Sequence, residues 1–144
     1  METGRLFQGD REACKAYLAD VAGYYVYILR RSDGRPFYVG KGINDRALDH
    51  ETEAHHPNNR RSNCYKLNVI RSIWKSNVQM QYEIDYVAES NADAIRREAE
   101  LISGLKRLHE GGPLTNLAPG GGTSDGASPI SKEKKSATLG GVPT

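Results

Sequence analysis

The stretch Tyr24-Tyr25-Val26-Tyr27-Ile28-Leu29-Arg30-Arg31-Ser32-Asp33-Gly34-Arg35-Pro36-Phe37-Tyr38-Val39-Gly40 decides the fold. Residues 24–31 are dense in β-branched and aromatic types and read as a buried strand. Asp33-Gly34 is a hairpin turn signal. Phe37 to Gly40 then makes a second strand, with Pro36 tolerable only near its start. An antiparallel hairpin is expected. Gly40 and Gly42, on either side of Lys41, are expected to break the second strand and to let backbone approach a ligand closely.

Working outward, a helical pattern begins near Asn44, with Asn44 or Asp45 as its cap. Residues 55–63 read as a loop. YKLNVIRSIWKS, from Tyr65, is an amphipathic helix with Leu67, Ile70, Ile73 and Trp74 on one face. Residues 79–89 alternate, with Met80, Tyr82, Ile84 and Tyr86 on one side and Gln81, Glu83 and Asp85 on the other, the pattern of a half-buried strand. A helix capped by Ser90 or Asn91 follows, buries Ile95, Leu101, Ile102 and Leu105, and runs to Gly111-Gly112. Residues 1–22 read as a short helical lead-in, and residues 121–144 as a glycine-rich linker with a short basic tail, either a small DNA-binding helix or disordered. The domain proper is placed at 23–120. The fold class is α+β: a small, three-stranded, mainly antiparallel sheet flanked by helices.

Composition narrows the function. No run of about 18 apolar residues offers a membrane span, and the start lacks a basic-then-apolar secretion signal. Cys14 and Cys64 have no zinc spacing and read as free thiols in a reducing cytoplasm. The net charge of +2 is unevenly spread: Arg30 to Lys75 holds ten Lys/Arg against five Asp/Glu, while the flanks sum to −1 and −2. A basic third of the chain suits a phosphate backbone, whose neutralisation releases counterions, and equally suits an ordinary solvated surface. Lys41 between its glycines, with Arg60 and Arg61 of the loop, are the candidate substrate-binding residues.

Certain polar residues should cluster on this scaffold. Tyr27 lies in the first strand and Tyr38 in the second, eleven residues apart across the tight turn, and Arg46 and His50, four apart, are expected on one helix face. Glu98 supplies the carboxylate that a hard divalent cation requires.

VYIL…FYVGKG…R…H resembles the GIY-YIG nuclease signature. Val26-Tyr27 stands for GIY, with Tyr25 in place of its glycine, and Tyr38-Val39-Gly40 stands for YIG. Arg46 and His50 match the family's Arg-x-x-x-His helix, Glu98 in REAELI its metal-binding glutamate, and Asn116 in LTNLAPGG its closing asparagine. The resemblance covers roughly residues 24–120 and is closest to the branch of LEM-domain nucleases and their bacterial and phage relatives. It implies the GIY-YIG fold and a DNA endonuclease using one Mg²⁺ or Mn²⁺. Tyr27 would act as general base or orient the water, Tyr38 would position water or substrate, and Arg46 would clamp the phosphate. His50 would relay a proton, Glu98 would hold the metal, and Asn116 would brace the site. A homodimer would suit double-strand cutting. The alternative is a nucleic-acid-binding module with a dead centre.

Overall fold

The computed structural model describes residues 6–56 and 65–116. Its element order is β1 (Phe7–Gly9), α1 (Arg11–Leu18), β2 (Tyr24–Arg30), β3 (Pro36–Ile43), a 3-10 turn (Arg46–Leu48), α2 (Asp49–His55), α3 (Tyr65–Lys75), β4 (Gln81–Val87), α4 (Asn91–Leu105) and a second 3-10 turn (Leu108–Glu110). All pairings in the sheet are antiparallel, in the order β1-β4-β2-β3. The fold is thus the expected α+β sandwich of helices on an antiparallel sheet, but the sheet has four strands, not three. The extra strand comes from the lead-in: Phe7 pairs with Ile84 and Gly9 with Tyr82. Three residues of β1 carry no periodic pattern of their own, and only the distant edge of β4 makes them a strand. Asp10 then caps α1 by accepting from Ala13 N.

Two apolar layers form. On one face Tyr25, Tyr27, Leu29, Tyr82 and Ile84 pack with Cys14 and Leu18 of α1, Ala54 of α2, and Leu67, Ile70 and Ile73 of α3. On the other, Val26, Ile28 and Val39 pack with Ala94 and Ile102 of α4. Burial pushes the Cys14 thiol up to about 12, so it is an inert core group and not a thiolate.

Four local expectations are corrected. First, β3 runs unbroken through Gly40 and Gly42. Gly40 stands directly opposite Tyr27, and Gly42 opposite Tyr25. A Cβ on Gly40 would lie 2.5 Å from the Tyr27 hydroxyl and 2.6 Å from its Cζ, and one on Gly42 would lie 3.0–3.1 Å from the Tyr25 ring. The glycines leave room for two aromatic rings lying across the strand. Second, Tyr86 does not share a face with Tyr82 and Ile84. The β2–β4 register shifts between Val26 and Tyr27, and this bulge turns Tyr86 into the α4 layer. Third, β4 is buried on both faces, not half-buried. Glu83 and Asp85 are tolerated there because Arg30 reaches Glu83 at 2.6 Å and Arg97 of α4 reaches Asp85 at 2.7 Å. The last helix is also shorter than expected. It stops at Leu105, where Lys106 turns to φ 77°, and Gly111 instead closes the second 3-10 turn at φ 91°.

Two stability predictions follow from this packing. Gly40→Ala should cost about 1–3 kcal/mol by overpacking against Tyr27, whereas Gly104→Ala, which meets nothing within 4 Å, should be neutral or gain up to about 1 kcal/mol of helix propensity. Arg97→Ala strands a buried carboxylate and should cost about 3–5 kcal/mol, whereas Arg96→Ala, whose ion pairs are surface-exposed and screened by solvent, should leave the midpoint nearly unchanged. Urea denaturation of the four variants checks both contrasts.

Candidate active site

The site grows from the central hairpin. Tyr27 lies across Gly40, and Tyr38 is its neighbour one strand over, with ring centroids 6.3 Å apart. Both belong to the layer covered by α1, α2 and α3. His50 enters from the first turn of α2: its Nε2 is 2.5 Å from the Tyr27 hydroxyl, and its ring meets the Tyr38 ring edge-on at 5.0 Å. Helix α2 has only seven residues, too few to be stable alone. Its neighbours fix it. Tyr25 donates to Asn44 O at 2.7 Å and accepts from Ala47 N at 3.1 Å. Arg11 of α1 donates to Leu48 O at 2.8 Å, and Arg71 of α3 donates to Ala54 O at 3.1 Å. Glu51 accepts from the Tyr82 hydroxyl and from Trp74 Nε1. The 3-10 turn and α2 that carry His50 are therefore held from both flanking helices, from β4 and from β2.

Electrostatics set the state of His50. Burial is the largest cause holding its pKa well below the ordinary 6.5, and the positive charges of Lys66 and Arg46 push the same way. A neutral imidazole with its hydrogen on Nδ1 leaves Nε2 to accept the proton of the Tyr27 hydroxyl. The Nδ1 atom itself is buried and has no hydrogen-bond partner.

The remaining expected residues fall as follows. Arg46 lies in the 3-10 turn, before α2 begins, so three residues per turn replace 3.6 and it does not share His50's buried face. Its side chain is 68% exposed and pairs with Asp49 at 3.4 Å, at the rim of the cluster. Asn116 pairs with Val39 of β3 through both ends of its amide: Oδ1 accepts from Val39 N at 3.0 Å and Nδ2 donates to Val39 O at 2.7 Å. Thr115 adds two bonds to Phe37 O, each 2.7 Å. This closes the outer edge of β3 beside Tyr38. Glu98 is buried on α4, between Ala94 and Ile102 in the stripe facing the sheet, and so belongs to the other layer. Lys41 sits in a regular ladder position opposite Val26, exposed, with its Nζ 5.9 Å from the Tyr24 ring, and forms no backbone nest. Arg60 and Arg61 lie outside the described residues, as does the tail beyond residue 116.

Lys66 escaped the sequence reading. It belongs to α3, and its Nζ lies 4.6 Å over the Tyr38 ring. Only its place one residue before Leu67, on a helix that packs over the hairpin, would have pointed to it.

The depressed pKa of His50 has a measurable consequence. The unfolded chain binds a proton near pH 6.5 and the folded chain does not, so stability is complete above that value and is lost as the pH falls from it toward the depressed folded value. The thermal midpoint of the wild type should drop as the pH falls below about 6.5, and this slope should flatten in His50→Gln.

Comparison with known proteins completes the picture. The family model described as LEM-3-like GIY-YIG domain matches residues 35–140, well over half of the chain. No curated protein and no solved structure matches. The matched stretch contains Tyr38, Arg46, His50, Glu98 and Asn116, and Tyr27 precedes it on the paired strand. This chain belongs to the LEM-3-like GIY-YIG family, a family of nuclease domains.

Proposed function

We propose that the chain is a DNA endonuclease that hydrolyses phosphodiester bonds at the Tyr27–His50 site with a divalent cation. The observation that carries this reading is the 2.5 Å contact between the Tyr27 hydroxyl and a buried His50 whose surroundings favour its neutral form. Phosphodiester hydrolysis needs a water deprotonated near the phosphorus and positive charge around the phosphoryl oxygens. Tyr27 takes a proton from the attacking water as it passes its own to His50 Nε2, so no free phenolate has to form. The hydroxide oxygen bonds to phosphorus and the bond to the leaving ester oxygen breaks. Tyr38, held edge-on to His50 and under Lys66, orients the water. Arg46 at the rim offers a guanidinium to the phosphate. Asn116 keeps β3, and with it Tyr38, at a fixed height.

Glu98 is the carboxylate that the family resemblance assigns to a cation of the Mg²⁺ or Mn²⁺ kind, but it is buried on α4 in the layer of Val26 and Val39, across the sheet from Tyr27 and His50, so its part in holding an ion for that pair is a proposal that the geometry does not itself favour. A single carboxylate suits a hard ion that keeps most of its water. Such an ion, when bound, would neutralise charge on the phosphate and the leaving oxygen.

Plasmid and branched DNA should be cut in Mg²⁺ or Mn²⁺ by the wild type. Tyr27→Phe, His50→Ala and Glu98→Ala should each lower the rate about 10²-fold or more. DNA bound but never cut would sink this reading in favour of a binding module with a dead centre. Cutting that survives Glu98→Ala would remove that residue as the metal ligand.

A further inference from the structure

His50 carries a second feature that the Tyr27 contact leaves unused. Its Nδ1 is buried and has no hydrogen-bond partner, although a neutral imidazole accepting at Nε2 must hold its hydrogen there. A carboxylate oxygen of Glu53, three residues on along α2, stands 3.9 Å away. That is beyond a direct hydrogen bond of about 3.2 Å, but within reach of a small torsional change in a half-exposed side chain or of one bridging water. The groups facing the ring are otherwise aromatic or positive: Tyr27 from β2, Tyr38 from β3, Lys66 from α3 and Arg46 from the 3-10 turn. Two carboxylates stand near by: Asp49 is paired with Arg46 at 3.4 Å, and Glu53 is the one that stands 3.9 Å from Nδ1.

We propose that Glu53 is a positioning residue for His50: its carboxylate receives the Nδ1 hydrogen, directly or through one water, and so fixes the tautomer in which Nε2 takes the Tyr27 proton. Three groups then act in line. The proton leaves the Tyr27 oxygen, its electron pair stays on that oxygen, and Nε2 gains the hydrogen while Nδ1 keeps its own. The resulting imidazolium faces Lys66 and Arg46, and the Glu53 carboxylate offsets them. A nucleophile or proton acceptor aligned by a base, itself oriented by a third group, is a general arrangement for proton transfer. This inference rests on the role assigned above to Tyr27 and His50.

The test uses the full chain and two readouts. Nitrogen-15 NMR of labelled histidine reports the His50 tautomer, and DNA cleavage across pH reports kcat and KM. Glu53→Ala should move His50 from Nδ1-protonated to a mixture of tautomers. It should lower kcat about 10- to 100-fold while KM for DNA changes less than about twofold. Glu53→Gln retains an acceptor, and should restore the tautomer without restoring the full rate. An unchanged tautomer in Glu53→Ala overturns the proposal, whatever happens to the rate. A tautomer that depends on Glu53 in a chain that cuts no DNA supports it, and overturns the nuclease reading alone.

Discussion

One steric constraint governs the arrangement: the Tyr27 ring lies across β3 at Gly40, where any side chain would collide with its hydroxyl. A tyrosine in a sheet ordinarily stands up from the pleat between neighbouring side chains. Here it leans over the adjacent strand, which brings its hydroxyl toward α2 and onto His50. Tyr25 and Gly42 repeat the device one pleat further along, and that hydroxyl ties down the chain entering α2. Two tyrosine–glycine oppositions thus do two jobs. One presents a reactive hydroxyl, and the other anchors the helix that brings its partner.

The anchoring matters because the residues between β3 and α3 have little helical stability of their own. A 3-10 turn followed by seven α-helical residues holds its place through side chains from α1, α3, β2 and β4. The same economy appears at β4, where two buried carboxylates survive in a central strand because arginines from β2 and α4 meet them. The sheet therefore joins its layers by polar contacts as well as apolar ones, and the interior is specified by pairs that tolerate few exchanges.

Much of this was legible in the sequence, for reasons that can be located. Asp33-Gly34 between two aromatic runs dictates a hairpin on local grounds alone, and the Ser90 cap starts α4 where the pattern says it should. The hairpin put Tyr27 and Tyr38 on adjacent strands, and the short path from Tyr38 to the next helix put His50 near the same sheet edge. What escaped depended on distant partners. β1 is defined by β4 some 75 residues away, and the bulge that turns Tyr86 over shows in no two-residue periodicity. Glycine read as a strand breaker because its own propensity is poor, whereas its place here is decided by the ring opposite. Arg46 and His50 were expected on one face from a 3.6-residue period that the 3-10 turn does not keep. Lys66 reaches the site from a helix whose polar face looked merely solvated.

The bonds from Thr115 and Asn116 to Phe37 and Val39 join residues 77 and 78 positions apart. Contacts of that separation form late, because the loop they close must be paid for in entropy before they return anything. The hairpin, α2, α3 and β4 can assemble from the part of the chain that leaves the ribosome first, but β3 keeps a bare outer edge until residue 116 has emerged. During synthesis the tyrosines and His50 can meet on a strand not yet locked at its far side. A chain ending short of Asn116 would keep that bare edge permanently and offer it to any strand in reach.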